Sequence, residues 1–166
     1  MKFINLKFLR TKFLNLSLLM LISLVAFSQQ DAPVIPKEPL EVVKGFLAAY
    51  QQGDHETFTS YLHPNVVWVQ PGSNKLSGIK ASKSELLLMG KQMWELTAGT
   101  IQLADVQYYA PNGNTVVAVL HWKATNTSGD TLDIRNIDVY TVEDGKIITG
   151  RIYTEDASVE DKFWGK

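Results

Sequence analysis

Cysteine is absent from all 166 residues. That excludes a disulfide framework, thiolate metal sites and thiol catalysis. It also leaves the N-terminal region without the lipobox cysteine that a lipid anchor requires. Histidine is scarce: His55, His63 and His121 fall on different elements, with no carboxylate at ligand spacing, so no metal site is expected. Charge of either sign is not in surplus. Sixteen Lys and Arg against 17 Asp and Glu leave a net charge of -1, without the basic footprint of a nucleic-acid-binding chain. There is no Gly-rich phosphate loop, no nucleophile elbow and no HExxH pattern. No internal repeat or low-complexity tract follows the N-terminal region.

That N-terminal region has the three parts of a secretory signal peptide. Lys2, Lys7, Arg10 and Lys12 form a basic start, Phe13 to Phe27 is an apolar run, and Ala26-Phe27-Ser28 offers small residues to a signal peptidase. The apolar run is short for a membrane span, which needs about 20 residues. Cleavage after Ser28 is expected. The protein would then be secreted or periplasmic, more acidic than the full chain, and without affinity for anionic membrane surfaces. Residues 29–39, with Pro33, Pro36 and Pro39, read as an extended arm or linker. Residues 40–166 have room for one domain with one core.

Within that domain, Val43, Phe46, Leu47 and Tyr50 recur at helical spacing and predict a helix over Leu40–Gln52. Gly53 stops it and Asp54 caps a short second helix over His55–Leu62, ended by His63-Pro64. Asn65–Gln70 alternates as a strand up to Pro71-Gly72, and Leu76-Ser77-Gly78 reads as a short return strand. Ser82 or Ser84 caps a third helix reaching about Leu96, with Leu86, Met89 and Met93 on its apolar face. Four β-branched and aromatic segments follow: Ile101–Tyr109, Thr115–Thr125, Thr131–Val142 and Lys146–Thr154. Asn112-Gly113, Ser128-Gly129 and Asp144-Gly145 mark their turns, because Gly tolerates the positive φ of hairpins. The tail 155–166 is acidic up to Phe163-Trp164, which would pack over the sheet or meet a partner. The order predicts an α+β fold with three N-terminal helices on one face of a strongly bent, mainly antiparallel sheet.

Alternation along the strands assigns faces. Val116, Ala118, Leu120, Trp122 and Ala124 form an apolar set and are placed inward. Pairing across the Ser128-Gly129 hairpin then puts Leu132, Ile134, Asn136, Asp138 and Tyr140 on the same face, with His121, Lys123, Asp133 and Arg135 opposite. A single bulge would reverse part of this and bring His121 inside as a base. Asp138 is thus a carboxylate on a buried face. Desolvation would raise its pKa and make it a hydrogen-bond donor, a general acid or a general base. The structural alternative is that it accepts hydrogen bonds from a helix end or a tyrosine and holds the fold. Trp68, Met89, Met93, Leu120 and Trp122 would wall a cavity or pack a core.

Gly53-Asp54, Trp68-Val69-Gln70-Pro71-Gly72, Leu76-Ser77-Gly78 and Ile137-Asp138-Val139 with Asp144-Gly145-Lys146-Ile147 resemble the NTF2-like superfamily. Within it the chain is most similar to the SnoaL-like group of polyketide cyclases and ketosteroid isomerase relatives, over about residues 40–156. The resemblance implies a cone-shaped α+β barrel, a pocket at its wide end and a homodimer through the outer sheet face. Compared with ketosteroid isomerase, Asp138 falls where a protonated Asp donates into an oxyanion hole. The general-base position holds Gln70, which accepts no proton at useful pH. Phe46 stands at the oxyanion tyrosine, with Tyr50 one turn on. Compared with limonene-epoxide hydrolase, Asn136-x-Asp138 replaces an Arg-x-Asp pair, and Asp156 is a second carboxylate near the chain end.

Two functions are open on these grounds. One is a pocket for a small apolar or carbonyl-containing molecule, lined by Tyr50, Trp68, Gln70, Met89, Met93, Leu120, Trp122 and Asn136. Asp138 would act there as acid or base in isomerase, cyclase or hydratase-type chemistry, with no cofactor. The other is a non-catalytic ligand-binding or dimerisation module.

Overall fold

The computed structural model describes residues 38–165. The expected signal peptide at 1–28 and all but the end of the arm at 29–39 lie outside them. The elements run α1 (Pro39–Gln52), α2 (His55–Ser60), β1 (Leu62–Gln70), β2 (Gly78–Lys80), α3 (Lys83–Leu96), β3 (Gln102–Asn112), β4 (Thr115–Thr125), β5 (Thr131–Glu143), β6 (Lys146–Thr154) and α4 (Ala157–Trp164). No described helix is long and apolar enough to cross a membrane.

Local chemistry sets the boundaries. Pro39, assigned to the arm from the sequence, opens α1, where its fixed φ suits the first turn and its missing N–H is not needed. Gly53 ends that helix in the left-handed region at φ 69°. The Asp54 carboxylate accepts from the Thr57 amide at 3.0 Å and starts α2. Ser82, not Ser84, caps α3 by accepting from the Glu85 amide at 3.2 Å, and the Glu85 carboxylate accepts from the Ala81 amide at 2.8 Å. These side chains satisfy amides that a helix start leaves without partners.

Three expectations are corrected. The second helix stops at Ser60 because Leu62 already pairs in parallel with Ile147, and Pro64 disfavours helical geometry at His63. The return strand forms at Gly78–Lys80 against Trp68–Gln70, two residues later than read, while Leu76 drops into the core at 1 % exposure. The acidic tail folds into α4. Asp156 caps it, accepting from the amides of Ser158 at 2.8 Å and Val159 at 3.3 Å, and its inner face buries Glu160, Phe163 and Trp164.

The strands form one sheet in the order β2-β1-β6-β5-β4-β3, antiparallel except for β1 with β6. Register irregularities between Leu103 and Asp105 and between Val106 and Tyr108 interrupt β3. Such bulges add twist and bend a sheet. The sheet curls strongly without closing, since β2 and β3 remain its two edges. α1 lies across the hollow against β3, β4, β5 and β6. Burial along β5 alternates strictly from Thr131 to Asp138. The inward set assigned from the sequence is the buried one: Leu132, Ile134, Asn136, Asp138 and Tyr140.

Gly150 of β6 shows why one strand position tolerates no side chain. It pairs with Trp68 on one side and Tyr140 on the other. A Cβ there would lie 2.3 Å from Trp68 Cε3 and 2.4 Å from Cζ3. The missing side chain is what lets the indole lie flat against β6. Gly150→Ala is therefore expected to destabilise the domain by about 1–3 kcal/mol through overpacking, read as a lower urea midpoint at unchanged slope.

Candidate functional site

The concave face of the sheet, α1, α3 and the inner face of α4 enclose a cavity of about 780 Å³. Its size suits a small organic ligand. Aromatic rings build one wall in contact order. Phe46 stacks on Phe58 at 4.6 Å and meets Tyr140 edge-on at 5.8 Å; Tyr50 stands edge-on to Trp122 at 5.1 Å. Trp68 lies 5.9 Å from Tyr140. Met89 and Met93 of α3 add an adaptable opposite wall, and Trp94, 58 % exposed, stands at the rim.

Of the residues named from the sequence, Tyr50, Trp68, Gln70, Met89, Met93, Trp122, Asn136 and Asp138 all line this cavity. Leu120 does not. It is fully buried and belongs to the same packed cluster as Val42 and Val43 of α1, so the hollow is filled at its level. Asp156 is exposed and serves as the α4 cap. His121 lies on the outer face, its Nε2 2.5 Å from Asp133 Oδ1. Burial pushes the Tyr50 phenol up to about 12, so it stays protonated.

Asp138 is 2 % exposed. Its cross-strand neighbours are Ala118 and Ile152, one small and both apolar. Tyr140 donates to Asp138 Oδ2 at 2.7 Å, which is the structural role anticipated for a tyrosine. The other oxygen, Oδ1, has no hydrogen-bond partner among the described residues. Burial pushes the carboxyl up to about 7; the Tyr140 hydrogen bond opposes this and the nearby charge of Glu160 adds to it. The Tyr140 phenol is in turn raised well above its usual range by burial and by Asp138.

Sequence reasoning missed Glu160. It comes from α4, is 3 % exposed and lines the same cavity as Asp138. Burial raises its pKa, while Thr154 and Asn136 face its carboxylate and favour the charged form. They do so short of hydrogen-bond geometry: Glu160 Oε2, Thr154 Oγ1 and Asn136 Oδ1 end without partners among the described residues, as does Trp68 Nε1. The available signal was Glu160 beside Val159 and one turn before Phe163 and Trp164, an acid on the apolar face of a capped helix. Unpartnered buried polar atoms are uncommon in folded proteins, because each forfeits its solvation. Here Trp68, Asn136, Asp138 and Glu160 line one cavity, and Thr154 lies outside its lining.

A curled α+β cone holding an apolar hollow with a polar floor defines a small-molecule pocket protein. The chain belongs to the SnoaL-like domain family, whose model matches residues 43–149. A cystatin-like-fold protein of unknown function from Xanthomonas campestris is similar at 32 % identity, over 77 % of this chain and 98 % of that one, with a TM-score of 0.74. A protein of Jannaschia sp. CCS1 named for a SnoaL-like polyketide cyclase shares the fold at 17 % identity, over 82 % and 99 % of the two chains, with a TM-score of 0.63. TerC, co-crystallised with polyporic acid, shares it at 21 % identity, over 76 % and 98 %, with a TM-score of 0.66.

Asp138 has a stability consequence. A carboxyl whose pKa is near 3.8 unfolded and about 7 folded favours the native state most below the lower value. That contribution is lost as pH rises to the upper one. From pH 5 to pH 8 the wild-type protein is expected to lose roughly 2–3 kcal/mol relative to Asp138→Asn. Parallel urea titrations of the two proteins check this; identical pH dependence would contradict it.

Proposed function

We propose that this domain binds a small, largely apolar molecule with a hydrogen-bonding carbonyl end, and that Asp138 acts on that end as an acid or base. The reaction class is proton transfer beside a carbonyl, as in isomerisation, cyclisation or hydration. The single observation that supports this reading is the unpartnered Oδ1 of a buried Asp138 on an aromatic-walled cavity. A carboxyl that titrates near 7 is matched to proton transfer at neutral pH. Gln70 and Asn136 would orient the ligand, and Tyr50, Trp68, Trp122, Met89 and Met93 would enclose its apolar body. TerC, on the same fold, has been crystallised with an organic acid, which is consistent with a ligand of this kind.

2-Tetralone, an apolar bicyclic ketone, is a suitable probe. A ketone accepts a hydrogen bond only from protonated Asp138, so its stabilisation of the wild type is expected to be larger at pH 6 than at pH 8. In Asp138→Asn the same thermal shift should be independent of pH. A pH-independent shift in the wild type would remove Asp138 from the site.

A second reading, a non-catalytic association module, has its own support. On the outer face Ile137 and Tyr153 are 47 % and 55 % exposed and directly paired across β5 and β6. With the partly exposed Val119 opposite Ile137 they make an apolar stripe suited to a second copy. The N-terminal pattern supports export with removal of residues 1–28. Protein recovered from medium or periplasm is expected to begin at Gln29 by intact mass and to sediment as a dimer. A mass that includes Met1, or a monomer at micromolar concentration, would overturn the respective point.

A further inference from the structure

The geometry points to Glu160 as a second proton-transfer group, the base that works with Asp138 as the acid on an enolisable carbonyl compound. This rests on the pocket reading above and adds a residue from a different element. Glu160 reaches the cavity because α4 is held in place from several sides. Asp161, its neighbour in sequence, accepts from the Ser73 amide at 2.7 Å, the Ser73 hydroxyl at 2.7 Å and the Asn74 side-chain amide at 2.8 Å. The Gly165 carbonyl accepts from the Lys75 amide at 3.0 Å, and the Phe163 carbonyl from the Asn126 side chain at 3.3 Å. The β1–β2 loop and the β4–β5 loop therefore clamp the C-terminal half of a short helix. The residue clamped inward between them is an acid rather than a leucine. A helix needing only an apolar inner face would gain stability from that exchange.

The two carboxyls are placed for different tasks. Tyr140 donates its proton to Asp138 Oδ2, so a proton on Asp138 sits on Oδ1, the unpartnered oxygen. Burial raises the Glu160 carboxyl, and Thr154 and Asn136 beside it oppose that rise. The groups facing Glu160 that titrate or carry charge are Asp138 of β5 and Asp161 of α4, both acidic, with Tyr140 behind Asp138. The charge of Glu160 raises the Asp138 carboxyl, so an ionised Glu160 favours a protonated Asp138.

The step balances without a co-reactant. The Glu160 carboxylate removes a proton from the carbon next to the carbonyl. The C–H bond breaks, an O–H bond forms on Glu160, and the electron pair moves into the enolate. The enolate oxygen is stabilised by the hydrogen bond from protonated Asp138. The proton on Glu160 exchanges with solvent, and delivery of the exchanged proton to carbon breaks the O–H bond, re-forms the C–H bond and restores the Glu160 carboxylate.

The test is exchange of the α-hydrogens of 2-tetralone in D2O, followed by proton NMR with the full domain. The wild type should exchange above the buffer rate. Glu160→Gln should lower kcat by about 100-fold or more, with KM unchanged. Its thermal midpoint should be equal or higher, because a buried charge is replaced by a neutral isostere. A merely structural Glu160 would instead lower the midpoint. Exchange by Glu160→Gln at the wild-type rate, with Asp138→Asn inactive, would overturn the role of Glu160 alone. Binding of 2-tetralone by the wild type with no exchange would also overturn it, leaving the pocket reading intact. Absence of binding would overturn both.

Discussion

One hydrogen bond carries much of the internal logic of this domain: the Tyr140 hydroxyl donating to the Asp138 carboxyl inside the curled sheet. A carboxyl moved out of water without a counter-charge is costly, and the usual outcome is a raised pKa. Tyr140 relieves part of that cost by fixing one oxygen. The other oxygen is left unpartnered and the side chain is held in one orientation. The site is thus preorganised at some expense in stability, which is a common condition of functional positions.

The hollow exists because the sheet bends farther than its inward side chains can fill. Bulges in β3 and the bare α-carbon of Gly150 allow that curvature and let Trp68 lie against β6. α1 then fills the level of Leu120, and the space that remains is bounded by aromatic rings and the methionines of α3. Apolar walls keep the local dielectric low, so each polar atom on the floor exerts a stronger effect than it would in water. Shape and chemistry are therefore coupled: the curvature that makes room for a ligand also perturbs the acids beside it.

α4 ties the chain end to the site. Its clamp at Asp161 and its buried Phe163 and Trp164 make it part of the core, so the position of Glu160 is set by the same contacts that stabilise the helix. Residues 43–149 match the family model, and α4 lies beyond them. Glu160 accordingly lies outside the residues that the family model matches. The exposed Ile137–Tyr153 pair lies on the opposite face of the same strands, so one side of the sheet presents an apolar stripe and the other lines the cavity.

The sequence by itself determined α1, α3 and the four long strands β3 to β6, the inward parity of β4 and β5, and hence the burial of Asn136, Asp138 and Tyr140. These follow from local rules: the two-residue period of a strand, helix caps, and glycine at positive φ. It misjudged Leu120, since alternation tells which face a side chain occupies but not whether that face opens onto a void or packed atoms. It left out Glu160 because an acid on an eight-residue helix acquires meaning only from what the helix is pressed against. Only the tertiary structure could bring Glu160 into the cavity that holds Asp138, because no local rule relates a terminal helix to the interior of a curled sheet.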